Sequence, residues 1–207
     1  MTAIPIVVGI IGGVASGKSE VAIQLVRRGA ALINADELGH SLLLDSAAIR
    51  SSVVALLGSG VLDASNKIDR KAIAGLVFGS DDTSRRKRTE LEAILHPAIR
   101  HAAEAALEKL RRNPKLRMIV LDAPLLIEAN WRSLCDEIIF VDTPLQVRQQ
   151  LAIRREWSVD ELQRREAAQM SLGEKRAAAT TVIVNDGDIE QLRTKVNEWW
   201  NDLRFEI

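Results

Sequence analysis

The stretch that decides the fold is a glycine-rich octapeptide near the start of the chain. Its sequence is Gly12-Gly13-Val14-Ala15-Ser16-Gly17-Lys18-Ser19, which fits the pattern G-x-x-x-x-G-K-[ST]. An apolar run at 6–11 precedes it, and a helical pattern follows at 20–28, with Gly29 placed to end that helix. A strand, a sharp loop and a helix in this order predict a phosphate-binding loop.

The residue types in this loop, residues 12–19, suit the binding of a nucleoside triphosphate. Gly12 and Gly17 supply backbone freedom, so that successive N–H groups can face one anion. Lys18 has the reach to contact the β- and γ-phosphates, and the hydroxyl of Ser19 is a ligand for Mg²⁺. We therefore expect a nucleoside triphosphate and Mg²⁺ at this loop.

Composition excludes several classes of protein. The 207 residues include 28 basic and 28 acidic side chains, and this neutral balance argues against a nucleic-acid-binding protein. No apolar stretch is long enough to span a bilayer, and the lone Cys135 suits a reducing cytoplasm. We expect a soluble cytoplasmic protein that needs no nucleic acid, membrane or obligate protein partner.

Five short apolar runs predict the strands, at 6–11, 31–34, 117–121, 137–141 and 181–184. Most are continuous rather than alternating, as is typical of parallel strands that are buried on both faces. Helical patterns separate them, and the clearest, after Asp188, begins with a capping-box pattern and carries one apolar face. The sequence predicts an α/β fold with a doubly wound, five-stranded parallel sheet, whose ligands bind at the carboxyl ends of the strands.

Two helical segments interrupt this alternation. Residues 37–116 are too long for one crossover helix and predict an inserted helical subdomain, with a bend or a helix start at Pro97. Residues 145–179 carry two capping-box patterns, Ser158 with Glu161 and Ser171 with Glu174, and seven basic residues. These basic residues form either a solvated face or a lid over phosphates. Residues 1–36, 117–144 and 180–207 are left as the nucleotide-binding core.

Asp36 follows the second predicted strand, where strand ends converge on one crevice. A carboxylate at that place could accept the proton of an attacking hydroxyl or fix Mg²⁺ through water. Alternatively, Asp36 could simply cap the next helix, which is a common task for aspartate.

Two short motifs imitate a GTP-binding switch protein. Asp36-Glu37-Leu38-Gly39 fits D-x-x-G, and Asn66-Lys67-Ile68-Asp69 fits N-K-x-D. Only 29 residues separate Asp36 from Asn66, and no apolar strand leads into Asn66, so we interpret both matches as coincidence. The switch protein stays open as an alternative, as does another small-molecule kinase that acts on a nucleotide or a sugar.

Motifs along nearly the whole chain resemble the dephospho-CoA kinase family. They are the loop with its strand at 9–19, I-N-A-D at 33–36, I-D-R-K-A-I at 68–73 with L-V-F at 76–78, L-H-P-A-I at 95–99, D-A-P-L-L-I-E at 122–128, and A-A-Q-M at 167–170 with E-K-R at 174–176. The phosphate loop is shared by many kinases. The L-H-P-A-I and D-A-P-L-L-I-E stretches in this order are far more specific.

The resemblance implies transfer of the γ-phosphoryl group of ATP to the ribose 3′-hydroxyl of dephospho-CoA, which yields CoA and ADP in the last step of CoA biosynthesis. It implies a helical acceptor domain at 37–116 and a lid at 145–179. The catalytic residues would be Lys18, Asp36 and Arg154, and Ser19 would hold the metal. Those implied to bind ATP are Gly13, Val14, Ala15, Ser16, Gly17, Lys18, Ser19 and Asn185, and those on the acceptor side are Arg70, His96 and Asp122.

Four positions depart from the family pattern. Asn34 and Val184 stand where the family often has aspartate, and Gln150 stands where an arginine is expected early in the lid. Arg155 also replaces a usual aspartate. Because of these changes, Arg148 or Arg155 could perform the task that the resemblance gives to Arg154.

Overall fold

A computed structural model describes residues 4–79 and 81–203. Within these ranges the chain forms five β-strands, nine α-helices and two short 3₁₀ turns. The strands are β1 (Ile6–Gly12), β2 (Ala31–Asn34), β3 (Met118–Asp122), β4 (Glu137–Asp142) and β5 (Thr181–Val184). The helices are α1 (Lys18–Arg27), α2 (Ala35–Asp45), α3 (Ala47–Leu57), α4 (Arg70–Val77), α5 (Asp82–Arg111), α6 (Leu145–Ile153), α7 (Val159–Ala167), α8 (Leu172–Ala178) and α9 (Ile189–Asp202).

The five strands form one parallel sheet in the order β2-β3-β1-β4-β5. β1 lies at the centre, where Val8 pairs with Val120 of β3 and with Glu137 of β4. The predicted parallel five-stranded fold is confirmed, and the strand bounds differ from the prediction by one residue at most. At the carboxyl edge, Ile10 of β1 lies opposite Asp122, and Asn34 of β2 lies on the other side of Asp122.

The sheet is covered by apolar faces of α1 and α9. The buried cluster joins Val8, Ile10, Met118, Val120, Ile139, Val141 and Ile183 of the strands to Val21, Leu25, Leu192 and Val196 of these two helices. Trp199 and Trp200 pack against it from the end of α9. Burial of this continuous apolar surface supplies most of the driving force for the fold and fixes the end of β1, where the loop begins.

Two of the three predicted capping boxes form completely. Both halves of the capping box are present at Ser171 with Glu174 and at Asp188 with Gln191. At Ser158 only one half forms, because the hydroxyl accepts the N–H of Glu161 while the Glu161 carboxylate pairs with two arginines of α7, Arg164 and Arg165. Gly29, at φ 99°, follows the last turn of α1 as expected.

Pro97 lies inside α5, so of the two alternatives, a bend or a helix start, the helix start is wrong and the bend stays a prediction. Proline cannot donate the N–H that would close one turn, and it usually ends a helix for this reason. Here α5 runs for 30 residues, from Asp82 to Arg111. The many other backbone hydrogen bonds of so long a helix tolerate the loss of one.

The chain divides into two compact units. The first unit contains the sheet, and its described residues are 4–34 and 106–203; residues 145–179 belong to it. The second unit covers residues 35–105, of which residue 80 lies outside the described ranges. It has a core of its own, formed by Leu43, Val53, Val61, Ile68, Ile73, Val77 and Leu91. The division into nucleotide core, acceptor subdomain and lid stays a prediction.

Among the described residues, no single helix has the length and apolar character needed to cross a membrane. The pair α2 and α3 meets those two criteria when the helices are taken together, and they are bent by 84° at their junction.

Candidate phosphate-binding site

The loop between β1 and α1 is shaped by unusual backbone angles. Gly17, the N-cap of α1, has φ 92°, and Ala15 has φ 57°. A Cβ on Gly17 would also stand 2.8 Å from the side-chain nitrogen of Asn185, so glycine is required there on two grounds. In the described part of the chain, the N–H groups of Gly17, Lys18 and Ser19 donate to no acceptor. The loop therefore presents free donors at a helix N-terminus, which is the arrangement that binds a phosphate.

The side chain of Lys18 folds back onto this loop and is held there by backbone carbonyls of the loop. Its Nζ donates to the carbonyl of Gly13 at 2.6 Å and to that of Gly12 at 3.3 Å. Burial is the main reason that the pKa of Lys18 falls from 10.5 to about 8, and the nearby charge of Lys175 is the second. An anion would favour the charged amine and reverse part of this effect.

The charges around Lys18 are mostly positive. Lys175, Arg155 and Arg148 each lower the pKa of Lys18, whereas Asp122 raises it. Asp122 is the last residue of β3, beside the end of β1, so the sheet itself brings this carboxylate to the loop. An excess of cations over carboxylates next to free N–H groups makes this end of the sheet attractive to a polyphosphate.

Lys175 is the most deeply buried of these cations, with 2% of its side chain exposed. Its Nζ lies 3.0 Å from Glu128 Oε1 and donates to Gln169 Oε1 at 2.8 Å. Glu128 also accepts the N–H of Met170 at 3.0 Å. These contacts tie α8 and the turn before it to the segment that follows β3.

Arg148 is buried behind the loop. Its guanidinium pairs with Glu166 of α7, and its Nε donates to the carbonyl of Thr143 at 3.1 Å. A Cβ on Gly13 would stand 3.1 Å from Arg148 Cδ, so the two residues are in close contact.

Helices α6 and α7 also cover the tip of the loop. Val14 and Ala15 form a small buried apolar cluster with Ala152 and Leu162.

The basic residues that follow α6 are exposed. Arg154 is the C-cap of α6, and its side chain is open to solvent. Arg155 lies over the ring of Trp157 at 5.5 Å, and Arg165 lies over the same ring at 4.2 Å. Gln150 is exposed on α6. Residues 145–179 thus have both of the features that we considered, namely a solvated charged face and cations that are close to the phosphate loop.

Asn185 lies behind the loop rather than in its opening. It is buried directly after β5, and its Nδ2 donates to the carbonyl of Ser16 at 2.9 Å. Its own N–H donates to the carbonyl of Asp142 at 2.7 Å. A direct contact of Asn185 with ATP stays a prediction.

Three of the predicted site residues belong to the second unit. Asp36 lies in the first turn of α2 and is exposed. Arg70 is the first residue of α4, and His96 lies on α5; both are exposed. The first unit brings together the loop residues, Asp122 and Asn185.

The N-K-x-D match proves to be a helix start. Asp69 is the N-cap of α4, and its carboxylate accepts the N–H groups of Lys71 and Ala72. Asn66 lies in a turn at φ 59°. Neither residue follows a strand of the sheet, in agreement with the interpretation as coincidence.

The donors for a metal ion are few. Within residues 4–79 and 81–203, no group of three or more His, Cys, Asp or Glu side chains could hold a metal. Ser19, the second residue of α1, is exposed and adjoins Lys18. This donor set fits Mg²⁺ that arrives with a nucleotide, since Mg²⁺ is often held by substrate phosphates with few protein ligands.

The sequence alone did not single out Lys175 or Glu128 as site residues, and it offered Arg148 only as an alternative to Arg154. Charged side chains are rarely buried without a partner, and the partners here lie far away in the sequence or on another helix. The sequence did contain one indication of cations near the phosphates, namely the high number of basic residues, seven, within 145–179.

Comparison with known proteins shows the family of this chain. The model of the dephospho-CoA kinase family matches residues 6–191. A dephospho-CoA kinase of Geobacter sulfurreducens is 42% identical over 196 residues, which cover 94% of this chain and 96% of that protein. Another, of Rhodopirellula baltica, is 40% identical over 192 residues, covering 92% and 87% respectively.

A solved structure has a similar fold over nearly the whole chain. A protein of Thermus thermophilus is 32% identical, with a TM-score of 0.76, and the match covers 97% of this chain and 98% of that one. From the family match and the identities, we conclude that this chain belongs to the dephospho-CoA kinase family.

Proposed function

We propose that the protein transfers the γ-phosphoryl group of ATP to the ribose 3′-hydroxyl of dephospho-CoA. The products are CoA and ADP, in the last step of CoA biosynthesis. The observation that carries this proposal is the family match over residues 6–191, which includes the phosphate loop. A cytoplasmic location, which suits this substrate, is part of the proposal.

ATP binds at the loop in this proposal. The free N–H groups of Gly17, Lys18 and Ser19 contact phosphate oxygens, with Gly13, Val14, Ala15 and Ser16 completing the loop. Without a nucleotide, Lys18 Nζ donates to the carbonyls of Gly12 and Gly13, at 3.3 and 2.6 Å. When ATP binds, these two hydrogen bonds are replaced by contacts with the β- and γ-phosphates. Because the cations around it repel one another, bound phosphate relieves that repulsion.

Ser19 is the proposed ligand of Mg²⁺. When bound there, the ion would supply positive charge against the negative charge that develops on the phosphates during transfer.

Asp36 is the proposed base. It orients the 3′-hydroxyl and accepts its proton as the oxygen attacks the γ-phosphorus, and the bond to the β-phosphate oxygen breaks. Arg70, His96 and Asp122 are proposed to bind the acceptor. Residues 145–179 are proposed to act as a lid, in which Arg154 stabilises the transferring group.

The test is release of ADP from Mg²⁺-ATP by the purified protein with a panel of acceptors. Dephospho-CoA should support release, and CoA, whose 3′-oxygen is already phosphorylated, should not. A 3′-deoxy analogue of dephospho-CoA should bind without turnover. ADP release that depends on nucleoside monophosphates or sugars, and not on dephospho-CoA, would refute the proposal.

A further inference from the structure

The carbonyl oxygen of Ser16 accepts two hydrogen bonds from outside the loop. Thr143 Oγ1 donates to it at 2.7 Å, and Asn185 Nδ2 donates to it at 2.9 Å. All three residues are buried, with Ser16 only 1% exposed. The hydroxyl of Ser16 has no partner among the described residues, and its N–H donates within the loop, to the carbonyl of Gly13 at 3.3 Å. The carbonyl is therefore the group that ties Ser16 to residues outside the loop.

The two donors are themselves fixed by the sheet. Thr143 directly follows β4, and its carbonyl accepts from Arg148 Nε at 3.1 Å. Asn185 directly follows β5, and its N–H donates to the carbonyl of Asp142. Two neighbouring strand ends therefore hold one peptide group of the loop from behind.

Peptide geometry gives this anchoring a consequence for ligand binding. The Ser16–Gly17 peptide is planar and trans, as no cis bond occurs in the described ranges, so its carbonyl and its N–H point in opposite directions. With the carbonyl turned toward Thr143 and Asn185, the N–H of Gly17 faces away from them. That N–H donates to no acceptor within the described chain.

Because Gly17 is a glycine in a left-handed conformation, the Ser16–Gly17 peptide could also adopt other orientations. Glycine populates positive and negative φ about equally, so the residue at φ 92° has no intrinsic preference that would hold the peptide in place. Without its two external donors, the Ser16–Gly17 peptide could turn over, and its carbonyl would then face the anion.

We propose that Thr143 and Asn185 are positioning residues, which fix the Ser16–Gly17 peptide so that the Gly17 N–H is aimed at a phosphate of the nucleotide. They act through the backbone of the loop and need not touch ATP. The proposal rests on the proposed nucleotide site, and it gives Asn185 a task that differs from direct ATP contact.

The main test is Thr143→Val, which keeps the shape of the side chain and removes the hydroxyl. Loss of one of two anchors should weaken ADP binding and raise the KM for ATP by about 3- to 10-fold. The KM for dephospho-CoA should stay unchanged. Thr143→Ser retains the hydroxyl and should restore ADP affinity to within about twofold of the wild type.

A matched control removes a hydroxyl that has no link to the loop. Thr194 Oγ1 donates to the carbonyl of Glu190 within α9, and Thr194→Val should leave ADP affinity unchanged. Asn185→Ala removes the second anchor and should weaken ADP binding to a similar extent as Thr143→Val.

The amide proton of Gly17 supplies a direct readout in the folded protein. Addition of ADP to the wild type should shift its NMR signal downfield, and the shift should be smaller in Thr143→Val. Wild-type ADP affinity in Thr143→Val, or equal losses in Thr143→Ser and Thr143→Val, would overturn the proposal. Failure of the wild type to phosphorylate dephospho-CoA, with ADP binding intact, would instead refute the proposed acceptor.

Discussion

At the scale of single residues, Lys18 shows how the loop prepares for an anion. Its amine is partly buried, it lies close to Lys175, and it donates to two loop carbonyls. Carbonyl oxygens stabilise a positive charge less well than phosphate oxygens do, because they carry no net charge. The charged form of Lys18 is therefore disfavoured until an anion binds.

This state of Lys18 predicts a pH-dependent contribution to stability in the absence of nucleotide and metal. The pKa is about 8 in the folded chain and 10.5 ordinarily, so between these values the unfolded chain binds more protons. The free energy of unfolding, relative to Lys18→Met, should therefore rise from pH 8 to pH 10, by on the order of 1–2 kcal/mol. Urea denaturation of the wild type and of Lys18→Met between pH 8 and pH 10 measures this difference in the free energy of unfolding. Parallel pH curves would contradict the assignment of this pKa.

Asp36→Asn tests the proposed base. The amide keeps the shape of the carboxylate but cannot accept the proton, so kcat should fall by roughly 10²- to 10⁴-fold, while the affinity for ATP barely changes. Steady-state kinetics and an ATP titration separate the two effects. Asp45→Asn, at the exposed end of the same helix, is a suitable control. Near-full activity of Asp36→Asn would leave Asp36 as no more than a favourable negative charge in the first turn of α2.

At the scale of secondary-structure elements, the sequence predicted most of what positions the site. The strands and the loop follow from local patterns, namely continuous apolar runs and turn residues. Strand bounds shifted by one residue where the last pairing lies beyond the apolar run, as at Asp122 and Asp142. The sequence did not decide whether Pro97 bends a helix or begins one, because the local preference of proline does not show how much the rest of a long helix stabilises it.

Long-range ion pairs could not be predicted in this way. Lys175 and Glu128 are 47 residues apart in the sequence, and neither falls on an apolar face that would indicate burial. The same holds for Arg148 and Glu166, which lie on different helices. Only the folded chain shows which of the seven basic residues in 145–179 are enclosed and which face solvent.

The Lys175–Glu128 pair predicts a strong coupling between α8 and the segment after β3. Lys175→Met or Glu128→Gln alone leaves a buried polar or charged group without its partner and should lower the free energy of unfolding by about 3 kcal/mol. The double variant should lose less than the sum of the two. Chemical denaturation of the four proteins gives the coupling energy, which we expect at about 1–3 kcal/mol.

The exposed pair of Lys195 and Asp186 is the control for this cycle. Its Nζ–Oδ1 distance of 2.8 Å is similar, but both side chains are more than a third exposed. Its coupling energy should therefore stay below about 1 kcal/mol. Equal coupling in the two cycles would show that burial does not strengthen the Lys175–Glu128 contact.

For the whole molecule, the net charge cannot attract a polyphosphate, so the attraction has to come from a local group of positive charges. The chain carries no net charge, so its overall field does not favour anions. The positive groups instead gather around Lys18, with Asp122 as the opposing charge. A neutral composition argues against nucleic-acid binding, but it does not reveal this local concentration of positive charge, which depends on how α6 and α8 pack near the loop.

The four tryptophans offer a selective readout of nucleotide binding. Trp131, Trp157, Trp199 and Trp200 all belong to the first unit, which also carries the phosphate loop. Their fluorescence therefore reports the unfolding of this unit. A ligand that binds only the folded state stabilises it by about 2.7 kcal/mol at a concentration 100-fold above its Kd.

Thermal unfolding followed by tryptophan fluorescence should consequently respond to Mg²⁺-ADP. For a chain of this size, 2.7 kcal/mol corresponds to a rise in Tm of roughly 5–10 °C. Adenosine, which lacks phosphates, should produce almost no shift, and Lys18→Ala should abolish most of the shift caused by Mg²⁺-ADP because the amine is the main cation of the loop. An undiminished shift in Lys18→Ala would mean that the nucleotide binds elsewhere on the first unit, and the assignment of the loop would then be wrong.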